Sequence, residues 1–157
     1  MRVACAALVL AVALAADLSS AVDDVRITIP VAVTFDVTNV NLPTTGRPIA
    51  DTVRFNSLSV PVGRVLNISV KADSDFVPPG GPAIPASKVS WTTSGATNGL
   101  GSSGVLSTTA YGQLFQSAPT RKNGNVDVTW VLTAPGIPVQ AGLHRLTIRW
   151  KLEAIVP

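Results

Sequence analysis

The chain holds a single histidine, His144, in Ala141-Gly142-Leu143-His144, and serine-type hydrolysis would need it as the general base. Serines and aspartates are available, but no G-x-S-x-G elbow or comparable context presents a nucleophile. A turn or strand-edge histidine is the plainer reading. Zinc chemistry lacks its ligands, because no H-E-x-x-H occurs and the only cysteine, Cys5, lies in a segment expected to be removed. Gly99-Leu100-Gly101-Ser102-Ser103-Gly104 matches G-x-G-x-x-G, yet a dinucleotide fingerprint needs a strand before it and a helix after it. The residues that follow, Val105 to Thr109, favour strand, so the stretch reads as a loop. Asp73-Ser74-Asp75 offers two carboxylates, too few for calcium's six to eight oxygens, and Asp23-Asp24 reads as a solubilising pair. Asn67-Ile68-Ser69 is a glycosylation sequon, used only along a eukaryotic secretory route. Trp91, Trp130 and Trp150 stand at apolar strand positions. They fill a core, the alternative being a stacking platform for carbohydrate. The inventory therefore predicts no enzyme: no catalytic residue, no cofactor, no metal.

Period-two alternation dominates the elements that would hold these residues. Val25, Ile27, Ile29, Val31, Val33, Phe35 and Val37 share one face of an N-terminal segment; Leu146, Ile148, Trp150, Leu152, Ala154 and Val156 do the same near the C-terminus. Shorter strands are expected over 52–58, 66–71, 88–93, 126–132, 105–109 and 111–117. Lys122-Asn123-Gly124-Asn125 predicts a tight hairpin, since Asn-Gly readily takes positive φ. Pro78-Pro79-Gly80-Gly81-Pro82 and Ala134-Pro135-Gly136-Ile137-Pro138 mark loops. Seven or eight strands without helices predict an all-β fold, an antiparallel β-sandwich of the immunoglobulin-like class. One segment is too long for such a sandwich. Residues 25–38 would extend roughly 46 Å at about 3.3 Å per residue. Either Pro30 divides them into two strands, or the first half projects and needs a partner's groove.

Met1-Arg2 followed by the apolar run Val3 to Ala16 reads as a signal peptide ending near Ala13-Leu14-Ala15, with Ser19-Ser20-Ala21 as a later cleavage candidate. The run is shorter than the roughly 20 residues a membrane helix requires. Its loss removes Cys5, leaving a mature chain that must fold without disulfides. Charged residues make up only 13% of the sequence against 46% apolar ones, a balance opposite to that of disordered chains. Without Arg2 the net charge is about +2, and no run of Lys or Arg exists, so nucleic acid is not an expected partner. The expected domains are a leader over 1–16, an N-terminal β-extension over 17–29 and a sandwich over 30–157.

The layout resembles that of bacterial pilus and coat subunits of the immunoglobulin-like kind. It has a leader, an N-terminal alternating segment, a Ser/Thr/Gly-rich middle and a closing strand, Ala141-Gly142-Leu143-His144-Arg145-Leu146-Thr147-Ile148-Arg149-Trp150. That resemblance implies a sandwich completed by β-augmentation, in which an N-terminal segment of one subunit enters the next. It also implies Val22, Val25, Ile27 and Ile29 as the inserted side chains. The chain departs from many such subunits in having no disulfide. The expected function is thus a secreted, cell-surface structural subunit whose partners are other copies of itself, with no membrane span in the mature chain. The alternative is a secreted monomeric module presenting the loops at Asp73 to Ala86 and Thr97 to Ser103 to a glycan or protein.

Overall fold

A computed structural model describes residues 26–29, 33–56, 60–76, 81–136 and 139–157. The leader, Val22 and Val25 lie outside the described residues. The strands are β1 (Arg26–Thr28), β2 (Val33–Val37), β3 (Thr44–Thr45), β4 (Asp51–Asn56), β5 (Val65–Ala72), β6 (Val89–Thr97), β7 (Gly99–Gly101), β8 (Gly104–Val105), β9 (Gly112–Ser117), β10 (Gly124–Leu132), β11 (Gly142–Leu146) and β12 (Ile148–Ile155). The fold is all-β, and every strand pairing is antiparallel. Among the described residues the only helical element is one 3-10 turn, Ala86–Lys88, and no helix is long and apolar enough to cross a membrane.

The largest sheet runs β1-β4-β10-β6-β8, with β3 also on β10; a second runs β12-β5-β9-β7; a third is the pair β11-β2. One continuous core joins them. In β4 and β10 strict alternation buries Val53, Phe55, Val126, Val128, Trp130 and Leu132 and leaves Thr52, Arg54 and Asn56 outside. Rings bridge the first two sheets: Phe55 lies 5.7 Å from Phe115 of β9, and Trp130 meets Trp150 of β12 edge-on at 6.4 Å. The tryptophans thus pack as core side chains, with Trp150 half-buried at the margin.

Each long alternating segment of the sequence is two strands in two sheets. Residues 25–38 give β1 in the largest sheet and β2 in the smallest; residues 146–156 give the end of β11 and then β12. A strand longer than the core would carry apolar side chains into water, and changing sheets returns both halves to the core. At the second switch the Thr147 carbonyl accepts the Asp73 N–H at 3.0 Å, and Arg149 pairs with the Asp73 carboxylate. The expected hairpin at Lys122 to Asn125 does not form. β9 and β10 belong to different sheets, and Gly124 is the first residue of β10, opposite Phe55. A Cβ there would come within 2.7 Å of the Phe55 ring and of the Thr97 carbonyl, so close packing, not turn geometry, requires the glycine.

Candidate functional site

The described part of the proposed assembly element is β1. Arg26, Ile27 and Thr28 pair with Asn56, Phe55 and Arg54 at the outer edge of the largest sheet. Ile27 and Ile29 are half-buried and pack on the core of their own chain, so this stretch does not project from the domain. Thr28, on the opposite face, is exposed beside Arg54.

That outer face carries a polar surface built by a distortion of β6. The β6–β10 register shifts between Asn125, opposite Thr97, and Asp127, opposite Ser94. Gly95 supplies the bulge with φ +59°, a conformation that costs other residues energy, and a Cβ there would lie 2.8 Å from Asp127 Oδ2. The bulge re-aims Thr97 at its neighbour: Thr97 Oγ1 donates to Asn125 Oδ1 at 2.7 Å, and the Asn125 N–H donates back to Thr97 Oγ1 at 3.2 Å. Asn125 Nδ2 donates to the Gly95 carbonyl at 3.2 Å. The next residue, Asn98, has φ +55° at the corner where the chain leaves the first sheet, and its Nδ2 donates to Asn123 Oδ1 at 3.0 Å. Asn tolerates this left-handed backbone better than most residues.

Arg54 lies between two depressions of this face. One, of about 180 Å³, is lined by Arg54, Asn56, Thr97, Asn98, Asn123, Gly124 and Asn125. The other, of about 140 Å³, is lined by Thr28, Thr52 and Arg54. Asp127, on the same face, is engaged elsewhere, since its Oδ1 accepts from Thr52 Oγ1 at 2.6 Å. Sequence reasoning named Thr97 and Asn98 as part of a loop and missed the rest. The asparagines sit at 56, 98, 123 and 125, and only the pairing of β4, β10 and β6 gathers them.

The other candidates occupy structural places. His144 is 1% exposed in β11, opposite Phe35, with Nε2 3.2 Å from the Gln140 carbonyl and no partner on Nδ1. Asn67 lies in central strand β5, 8% exposed, and its Nδ2 donates to Ser69 Oγ at 2.9 Å; the sequon is inside the folded sheet. Asp75 accepts the Ala86 N–H at 2.8 Å, and Phe76 pairs with Ile84, so the base of the Asp73 to Ala86 loop is tied into the core. Gly99 to Gly104 forms β7 and β8 with the residues between them, where a loop was expected. Among the described residues no group of three His, Cys, Asp or Glu side chains converges on a metal position.

The Asp51 carboxyl points inward from β4, 7% exposed. Burial raises its pKa, and the nearby Trp130 indole opposes the shift without closing a hydrogen bond. No family model matches the chain, and neither a curated protein nor a solved structure matches it.

Proposed function

We propose that the protein is a structural subunit of an extracellular filament or surface coat, an immunoglobulin-like sandwich whose copies join by exchanging the N-terminal β-segment. The observation that carries this reading is the edge position of β1: among the described residues Arg26, Ile27 and Thr28 pair at the rim of the largest sheet, and Ile27 and Ile29 anchor them half-buried. Half-burial of an isoleucine contributes about 1 kcal/mol. Each ladder hydrogen bond adds roughly 0.5–1.5 kcal/mol net. Ordering each residue costs roughly 1–2 kcal/mol, so the two sides cancel to within a few kcal/mol. An edge strand with half-buried anchors can be exchanged, because the same segment of a second copy makes the same contacts on β4. Exchange in a head-to-tail sense that does not close gives a filament. Val25 continues the apolar series of Ile27 and Ile29 upstream, and Val22 lies three residues beyond it.

Electron microscopy and size-exclusion chromatography on the chain from residue 17, beside a variant lacking 17–29, test the proposal. Filaments or large oligomers from the first and monomers from the second are expected. Two monomers of equal stability would overturn it.

A further inference from the structure

We infer that the depression between Arg54 and the asparagine cluster is a binding site for a sugar carboxylate, a uronic acid residue of an acidic glycan. The inference stands whether or not the copies assemble.

Three features point to a ligand that is both anionic and rich in hydroxyls. The cluster is held before any ligand arrives: Thr97 and Asn125 are locked to each other, Asn125 to the Gly95 carbonyl, and Asn98 to Asn123. Polar groups already fixed lose little entropy on binding, which distinguishes a built site from a scatter of surface amides. The locking bonds use one end of each amide of the Asn98–Asn123 pair. Among the described residues this leaves Asn98 Oδ1 as an acceptor and Asn123 Nδ2 as a donor beside the same depression. A sugar hydroxyl needs one of each. Arg54 sits at the rim, exposed and, among the described residues, in no ion pair; Asp127 on the same face accepts a hydrogen bond from Thr52, keeps its charge, and is not among the residues that line the depression. A guanidinium matches a carboxylate with two parallel N–H···O bonds. The depression, about 180 Å³, suits one sugar ring. No aromatic side chain lines it, so affinity must come from charge and hydrogen bonds instead of stacking. Gly95 and Asn98, both at positive φ, bracket Thr97, and the bulge turns its hydroxyl into the cluster.

The test is an NMR titration of the ¹⁵N-labelled protein with trigalacturonate, and in parallel with trigalactose, acetate and inorganic phosphate. Trigalacturonate should move the side-chain amide signals of Asn98 and Asn123 and bind at least about tenfold more tightly than trigalactose, the value of one charge-assisted contact. Arg54→Gln should remove that preference, and Arg54→Lys should restore only part of it because a lysine cannot pair bidentately. Asn98→Gly keeps the backbone conformation and should weaken trigalacturonate binding without lowering the melting temperature. Equal binding of trigalacturonate by wild type and Arg54→Gln would overturn the assignment. So would shifts confined to other faces, or acetate or phosphate binding as tightly as the glycan.

Discussion

The ring of Trp91 lies where a side chain on Gly104 would be. A Cβ on Gly104 would stand 2.4 Å from Trp91 Cζ2, and one on Gly112 would be 2.5 Å from Cη2. Trp91 can therefore pack, tilted by 54°, against Trp130, its cross-strand partner, at 6.1 Å, and donate its indole N–H to the Ser102 carbonyl at 2.8 Å. Gly104→Ala should displace a ring that is 2% exposed and has no room to retreat. The expected loss is roughly 1–3 kcal/mol, as for other overpacked cores, read as a lower urea midpoint at unchanged m-value.

The same contact explains what the sequence conceals. The other two glycines of the G-x-G-x-x-G stretch also lie under side chains from other strands: a Cβ at Gly99 would meet Phe115 at 2.2 Å, and one at Gly101 would meet Thr93 at 2.4 Å. Their spacing records contacts far along the chain, which no local pattern reveals. Alternation, in contrast, is local, so the strands β4, β5, β6, β9 and β10 are readable from residue type alone, although in β9 Leu114 and Phe115 are buried side by side, beside the irregularity in its pairing with β5. Pro30 offers the first sheet switch, between Thr28 and Val33, as one of two alternatives; the switch at Thr147 is not readable, because alternation continues through it while the pairing partner changes. The hairpin expected at Asn123-Gly124 fails for the same reason: its glycine serves Phe55, not a turn. The polar face draws on three separate stretches, Arg54 to Asn56, Thr97 with Asn98, and Asn123 to Asn125, which the pairing of β4, β10 and β6 brings together.

Asp51 should make stability depend on pH in the direction opposite to most carboxylates. Burial favours its protonated form, so the folded chain holds this proton more tightly than the unfolded chain, whose ordinary value is 3.8. Its contribution is most favourable below that value and declines as pH rises through the higher folded pKa. Asp51→Asn removes the slope, because an amide carries no titrating proton. Solvent screens part of the charge, so the gain at pH 7 should stay below about 1 kcal/mol, at most roughly 2–4 °C in melting temperature. At pH 3 the gain should vanish. Thermal melts of both proteins at the two pH values decide the matter, and equal differences at both would refute the assignment.

Ser117 should carry more stability than its size suggests. It is 4% exposed at the end of β9, and its Oγ accepts the Leu66 N–H at 2.9 Å. Ser117→Ala leaves that buried N–H without its acceptor, at a cost of about 1–3 kcal/mol. Hydrogen exchange at the Leu66 amide should accelerate more than at Ile68, two residues along the same strand. Uniform acceleration across β5 would instead indicate global destabilisation.

Ile27 offers a way to separate the docking of β1 from the folding of the domain. It pairs with Phe55 at the sheet edge and is half-buried, whereas Ile68 and Trp130 are fully buried. If β1 opens on its own, the Ile27 amide should exchange far faster than those of Ile68 and Trp130, whose protection follows global unfolding. Ile27→Asp places a charge against the Phe55 edge and should release β1. The rest of the core keeps its contacts, so the melting temperature should fall by no more than a few degrees. Loss of any oligomer in this variant, with the domain still folded, would tie association to β1. A large fall in melting temperature would show that β1 is an integral strand of the sheet and would remove the physical basis for its exchange.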